Sequence, residues 1–287
     1  MRTLLLLLTV SIGVGFSGCQ YGDDPAADGP YIVFKFQFDP NQERFDSFGQ
    51  PATVPNGHAA QSPSFNSISG HYVELIPSAW TALGAGEVVY QGAETTASGD
   101  MAIDFNQAKV VGENEVFLSI PIEDVAAGTY EFVRVSVSYQ NYNINYNALG
   151  LNLTGTLASF VGYNTYISSV QVDQQAVTVN DDKLQGYWAF ESAGTMTTGQ
   201  APAGATTVPN PIFASSPIPQ GSCLVTGEFE TPLTINGDET EDVVVVLSVS
   251  TNQSFEWTDP DGNGQYDPLD GDVPVDRGLR GLKAIVQ

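Results

Sequence analysis

The sequence predicts an all-β chain, an antiparallel β-sandwich with long loops. Three observations carry that expectation. β-Branched and aromatic residues recur in short runs between turn formers, and no long stretch has helical periodicity. Gly, Asn, Thr, Ser and Tyr are plentiful while Lys and Arg are scarce. Strand-like runs roughly ten to twenty residues apart, with turn signals between them, are the pattern of a sandwich.

The elements follow in chain order. Tyr31–Phe38 alternates, with Phe34, Phe36 and Phe38 on one face and Lys35 and Gln37 on the other. Ser69–Ile76 sets His71, Val73 and Leu75 against Tyr72, Glu74 and Ile76, and Val116–Ile120 is a short apolar strand. Thr129–Tyr139 alternates imperfectly at its start, which suits a bulge. Thr156–Val161, Tyr163–Ile167, Ala176–Val179 and Gln185–Glu191 form a second group. Gly194–Gln220, rich in Gly, Pro, Ala, Ser and Thr, is expected to be a surface loop. Cys223–Phe229, Leu233–Ile235, Val243–Ser250, Ser254–Trp257 and Leu279–Val286 complete the strands. The continuous apolar run Val243–Leu247 predicts a strand buried on both faces. Helix is expected only at Ala79–Leu83 and near Asp104–Ala108. Residues 31–287 read as one elaborated sandwich, with a possible division near 147–155.

The N-terminus gives an address. Arg2, the apolar run from Leu4 to Val14 and the small residues Ser17 and Gly18 before Cys19 form a secretory signal, too short to span a bilayer. Ser17-Gly18-Cys19 resembles the lipobox of bacterial lipoproteins, although Phe16 replaces the more usual Leu. The resemblance implies a signal peptide over 1–18 and lipid on Cys19, with a flexible tether over 19–30. More than one acyl chain makes such an anchor stable. Asp23-Asp24 just beyond the cysteine resembles the acidic export signal of Bacteroidota surface lipoproteins, which implies the outer membrane and its external face. An acidic linker without that meaning is the alternative. Cys223 is then the only remaining thiol, so no intramolecular disulfide forms, and a buried strand position is expected for it.

Charge excludes some partners. The chain holds 33 acids against 9 bases, a formal charge of −24. Nucleic acid needs basic surface to neutralise phosphate, and anionic headgroups repel such a body. Cations, calcium among them, are attracted.

The sharpest motif is Asp259-Pro-Asp261-Gly-Asn263-Gly-Gln265-Tyr-Asp267-Pro-Leu-Asp270. Counted from Asp259, side-chain oxygens fall where an EF-hand calcium loop places them, with Gly264 at the tight turn and Gln265 offering its carbonyl. A hard cation wants six to eight oxygens, and alternate residues of a turning loop converge to supply them. Position 12 is Asp rather than Glu and no helix flanks the loop, so the expected site is a helix-free structural calcium loop. Asp272 is an alternative to Asp270 as closing ligand. An ordinary Asp-Gly and Asn-Gly turn holding no ion is the other reading.

The two histidines, His58 and His71, come from different segments and together with a third ligand would suit copper. Ser69-Gly-His71-Tyr72-Val-Glu74-Leu75, then Ala127-Gly128-Thr129-Tyr130 leading into a strand, and Gly186-Tyr187-Trp188-Ala-Phe190 resemble MbnP-like copper-binding lipoproteins. That resemblance spans roughly 31–191 and implies an antiparallel β-sandwich that captures copper with histidines and an oxidised tryptophan. No Gly-x-Ser-x-Gly, His-Glu-x-x-His, Walker or dinucleotide-binding motif is present. Acids on strands, such as Glu74, Glu131 and Glu191, are expected to face solvent. The sequence therefore predicts a non-enzymatic surface lipoprotein, calcium-stabilised and acting in binding. Its alternatives are a copper binder using His58 and His71, and a carbohydrate-binding module with Tyr139, Tyr142 and Tyr146 as an exposed aromatic row.

Overall fold

A computed structural model of the chain describes residues 29–45, 50–201 and 223–287. Cys19, the signal peptide and the tether as far as residue 28 lie outside the described residues, as do residues 202–222, which take in most of the expected loop. The strands run β1 (Tyr31–Asp39), β2 (His58–Gln61), β3 (Ser64–Ile76), β4 (Glu87–Gln91), β5 (Glu94–Thr95) and β6 (Ala102–Asp104). Then come β7 (Val116–Pro121), β8 (Gly128–Ala148), β9 (Leu151–Phe160), β10 (Asn164–Gln171), β11 (Ala176–Leu184) and β12 (Tyr187–Ser192). The last six are β13 (Thr195–Gln200), β14 (Cys223–Ile235), β15 (Val243–Ser250), β16 (Phe255–Thr258), β17 (Val273–Arg277) and β18 (Leu282–Val286). Helix among the described residues is confined to 3-10 turns at Phe105–Gln107 and Ile122–Asp124.

The chain is nearly all β, and its sheets pack as a sandwich. One large sheet has the order β13-β12-β9-β8-β14-β18-β15-β1-β7, with β3 paired to β8 and β4 to β3. Smaller sheets have the orders β11-β10-β6-β5 and β17-β16-β2. Pairing is mixed rather than purely antiparallel, because β1 runs parallel to β15, β14 to β18 and β6 to β10. β15 lies between β1 and β18, and its Val245, Val246 and Leu247 are all buried. Parallel pairing suits a strand covered on both faces.

The main core gathers Phe34 and Phe36 of β1, Val73 and Leu75 of β3, Val133 and Val135 of β8, and Val245 and Leu247 of β15. Phe38 meets Phe65 with centroids 5.2 Å apart, and Phe36 meets Phe117 at 5.0 Å, so the large sheet closes over its own apolar face. Cys223 packs at the rim of this core, half-buried. Burial, with the Asp276 charge adding to it, pushes its thiol up to about 12, far from a reactive thiolate.

β8 is longer than the sequence suggests. One edge pairs with β3, while the other pairs with β14 over Gly128–Val137 and with β9 from Tyr139 onward. Beyond Tyr139 the large sheet is covered on both faces. Tyr139, Ala158, Phe160 and Ala189 pack toward β10, whereas Tyr142, Ile144 and Leu157 pack with Phe255 and Trp257 of β16. This alternation is the period-two geometry of a strand with two dry faces. Tyr139 and Tyr142 are therefore buried, Tyr146 is half-buried against Phe190, and the exposed aromatic row does not exist. Residues 147–155 form the tip and one arm of the β8–β9 hairpin, with Asn147 opposite Asn152.

Three further expectations change. Thr195–Gln200, assigned to the surface loop, is an edge strand on β12, with Gly199 lying opposite Trp188. Ala79–Leu83 forms turns, because Arg134 takes the carbonyls of Ala79 and Thr81, and Pro77, Gly84 and Gly86 flank the segment. Glu74 and Glu191 are buried, with only Glu131 facing solvent. Glu191 accepts the backbone amides of Asp173 and Gln175, both at 3.0 Å, and Glu74 those of Gly84 and Gly86. A buried carboxylate is tolerated when charge-assisted hydrogen bonds replace its water.

Candidate metal centre in the acidic hairpin loop

The acidic loop connects β16 to β17, and the hairpin's register decides which carboxylates meet. Thr258 pairs with Val273, so Asp259 and Asp272 stand opposite each other at the neck of the loop. Both are buried, and the exposed Asp261 reaches back to them. Carboxylate oxygens of Asp259, Asp261 and Asp272 lie within 4.8 Å of one another. Asp270 is exposed and outside this group, and Asp272 is the carboxylate that meets Asp259 and Asp261. β17 begins at Val273, directly after Asp272.

The remaining expected ligands shape the loop from within. Asn263 donates from Nδ2 to Asp261 and Asp267, both at 2.8 Å, and its Oδ1 accepts the Gln265 amide at 2.6 Å. The Gln265 carbonyl accepts from Trp257 Nε1 at 3.2 Å, which ties the loop to a fully buried indole. The Gln265 side chain accepts from Asn147 of β8. Gly262 and Gly264 have φ of 68° and 72°, a region where a β-carbon is strained. That turn brings the Gly264 amide to Asp259 Oδ2 at 3.0 Å, while the Asp267 amide reaches Asp272 Oδ2 at 2.7 Å.

Two features suit a hard cation. Asp259 Oδ1 is buried and has no hydrogen-bond partner among the described residues. Burial raises the pKa of Asp272, and the charges of Asp259, Asp261 and Asp267 add to it, against the amide of Asp267. Ligand oxygens about 2.3–2.6 Å from a calcium ion are at most about 5 Å apart, which the spacing of the three carboxylates satisfies. An all-oxygen donor set suits calcium or magnesium rather than copper or zinc. Asp259, Asp261 and Asp272 would hold the ion, whose contribution is to neutralise their mutual repulsion.

The histidines take separate partners. His58, in β2, places Nδ1 2.6 Å from Glu256 of β16, and Arg44 and Arg280 contact the same carboxylate. Burial raises the Glu256 pKa, but bonds from His58 and Arg44 and the two guanidinium charges outweigh it and hold the group below its usual range. These groups line a cavity of about 340 Å³ with Thr53, Pro55 and Asp276. The one local signal for this network in the sequence is an acid between Phe255 and Trp257. His71, in β3, is buried, with Nε2 3.3 Å from Glu94 and its ring edge-on to Tyr163. Burial lowers its pKa against the opposing Glu94 charge. Neither imidazole belongs to the converging aspartate group.

Compared with protein-family models, with curated proteins and with solved structures, the chain finds no match. The resemblance to MbnP-like proteins accordingly rests on its motifs alone.

Proposed function

We propose that the chain is an exported, lipid-anchored, non-enzymatic β-sandwich that works in binding at the cell surface, with calcium fixing its C-terminal hairpin loop. The observation that carries the calcium part is the meeting of Asp259, Asp261 and Asp272 at the hairpin neck, with one buried oxygen of Asp259 left without a donor among the described residues. Three carboxylates so close repel one another in the absence of a counter-charge, and a divalent cation removes that cost. The ion's work is structural, since Trp257 and Tyr266 hold the loop against the apolar contact between β16 and the large sheet.

Calorimetric titration with calcium chloride tests this part. Wild type is expected to bind one calcium ion, and the pair Asp259→Asn with Asp272→Asn to bind none while still folding. A wild type that takes up no calcium reduces the loop to a turn. The anchor rests on Cys19 after Ser17-Gly18. Cys19→Ser is expected to move the protein from the membrane pellet to the soluble fraction, and continued pelleting removes the anchor.

A further inference from the structure

We infer that the loop between β3 and β4 is a preorganised aromatic platform, and that Trp80 at its tip stacks on the sugar rings of a neutral glycan. The inference deepens the binding role proposed above and is independent of calcium. Trp80 is 92 % exposed, whereas Trp257 is buried and Trp188 lies half-buried against Gly199. A singly exposed apolar side chain is ordinary on a protein surface; what sets this one apart is the firmly held backbone beneath it.

The backbone here is held from several sides. Glu74, 0 % exposed, accepts the amides of Gly84 at 3.0 Å and Gly86 at 2.7 Å. Its other oxygen faces Arg134 Nη1 at 3.4 Å, and Arg134 Nη2 donates to the carbonyl of Thr81 at 2.5 Å and reaches that of Ala79 at 3.4 Å. The guanidinium thus clasps the residue on each side of Trp80. Ser78 closes the turn by accepting the Trp80 amide at 3.2 Å, and Leu83 is buried against Tyr72. A buried ion pair is poor at adding net stability, and holding one conformation is a role such pairs serve in some proteins. Here it fixes the loop that displays an indole, and prepaid ordering raises affinity for whatever stacks there.

The surroundings select the occupant. Ile76–Gly86 carries no charged residue, in a chain of formal charge −24. Nucleic-acid bases would stack, but their phosphates would be repelled by the body. A bilayer surface needs a wider apolar face, and the exposed neighbours Ala79, Ala82 and Ala85 are small. A protein partner needs about 800 Å² on each side, of which a lone indole supplies little. A pyranose ring is neutral, presents one flat C–H face and matches an indole in size. The hydroxyls of Ser78 and Thr81 lie beside it in sequence.

Wild type, Trp80→Ala and Arg134→Lys are titrated with oligosaccharides of β-1,4-glucose, α-1,4-glucose, β-1,4-xylose and α-mannose, with phosphatidylcholine vesicles in parallel. Tryptophan emission and calorimetry report binding, and each titration is repeated with EDTA. Wild type is expected to bind at least one glycan in either condition. Trp80→Ala should bind it at least about tenfold more weakly, a loss of roughly 1.4 kcal/mol, with its melting temperature unchanged. Arg134→Lys, which keeps the charge but loses the fork, should weaken binding severalfold with Trp80 present. No glycan bound by wild type, equal binding by Trp80→Ala, or vesicle binding in its place overturns the inference. Failure of calcium uptake with glycan binding intact overturns only the calcium reading.

Discussion

Two guanidinium groups and an imidazole meet one buried carboxylate at Glu256, and that residue makes the stability of this end of the molecule depend on pH. Its folded pKa lies below the ordinary 4.5, held there against burial by His58, Arg44 and Arg280. A depressed carboxylate pKa gives stability that is present above the unfolded value and is lost as pH falls through the folded one. Glu256→Gln should destabilise the protein at neutral pH by about 3–5 kcal/mol, because the buried Arg44 then loses its counter-charge and Arg280 beside it keeps only Asp276. It should also flatten the acid limb of a melting-temperature curve below about pH 4.5. A variant as stable as wild type at neutral pH contradicts the role given to this carboxylate. The acidic loop was more legible at this scale than the Glu256 network. Local spacing announced Asp259 and Asp261, but Asp272 is chosen over Asp270 by cross-strand register, and Glu256 gathers Arg44 from about two hundred residues away.

At the scale of elements, apolar alternation found most strands of the main core and failed where polar residues are buried with partners. Gln140 donates to the Arg277 carbonyl at 2.6 Å and Asn141 to that of Val172 at 2.8 Å. In the sequence, such residues look like the end of a strand. In the fold, β8 runs on through Gln140 and Asn141 to Ala148, paired with β9 along the way, because the amide donors of these buried side chains find carbonyls in other parts of the chain. Aromatic packing on β12 is equally hidden from a linear reading. Phe190 occupies the space a β-carbon at Gly155 would fill, and Trp188 covers Gly199 on the opposite neighbour. Gly155→Ala should therefore cost about 1–3 kcal/mol by overpacking. The same change combined with Phe190→Leu should cost less than the two separate losses added, since the smaller side chain vacates the contested space. Strict additivity in denaturant melts would show that the glycine is not there for the ring.

For the whole molecule, the governing quantity is the formal charge of −24, and it complicates any calcium experiment. A body so acidic repels itself, so any salt should raise its melting temperature by screening. A rise on adding calcium alone cannot separate a bound ion from a screened surface. Screening saturates first: at about 0.5 M sodium chloride the Debye length is only a few ångströms and exposed acids no longer sense one another. The neck of the hairpin is different, because Asp259 and Asp272 are buried and their mutual repulsion is screened far less. With sodium chloride held at that level, millimolar calcium should still raise the melting temperature of wild type by several degrees, since ligand at about a hundred times its dissociation constant adds about 2.7 kcal/mol. The Asp259→Asn and Asp272→Asn pair should keep the sodium response and lose the calcium response. If both proteins respond to calcium alike in high salt, the ion acts on the acidic surface at large and the hairpin neck has no special claim to it.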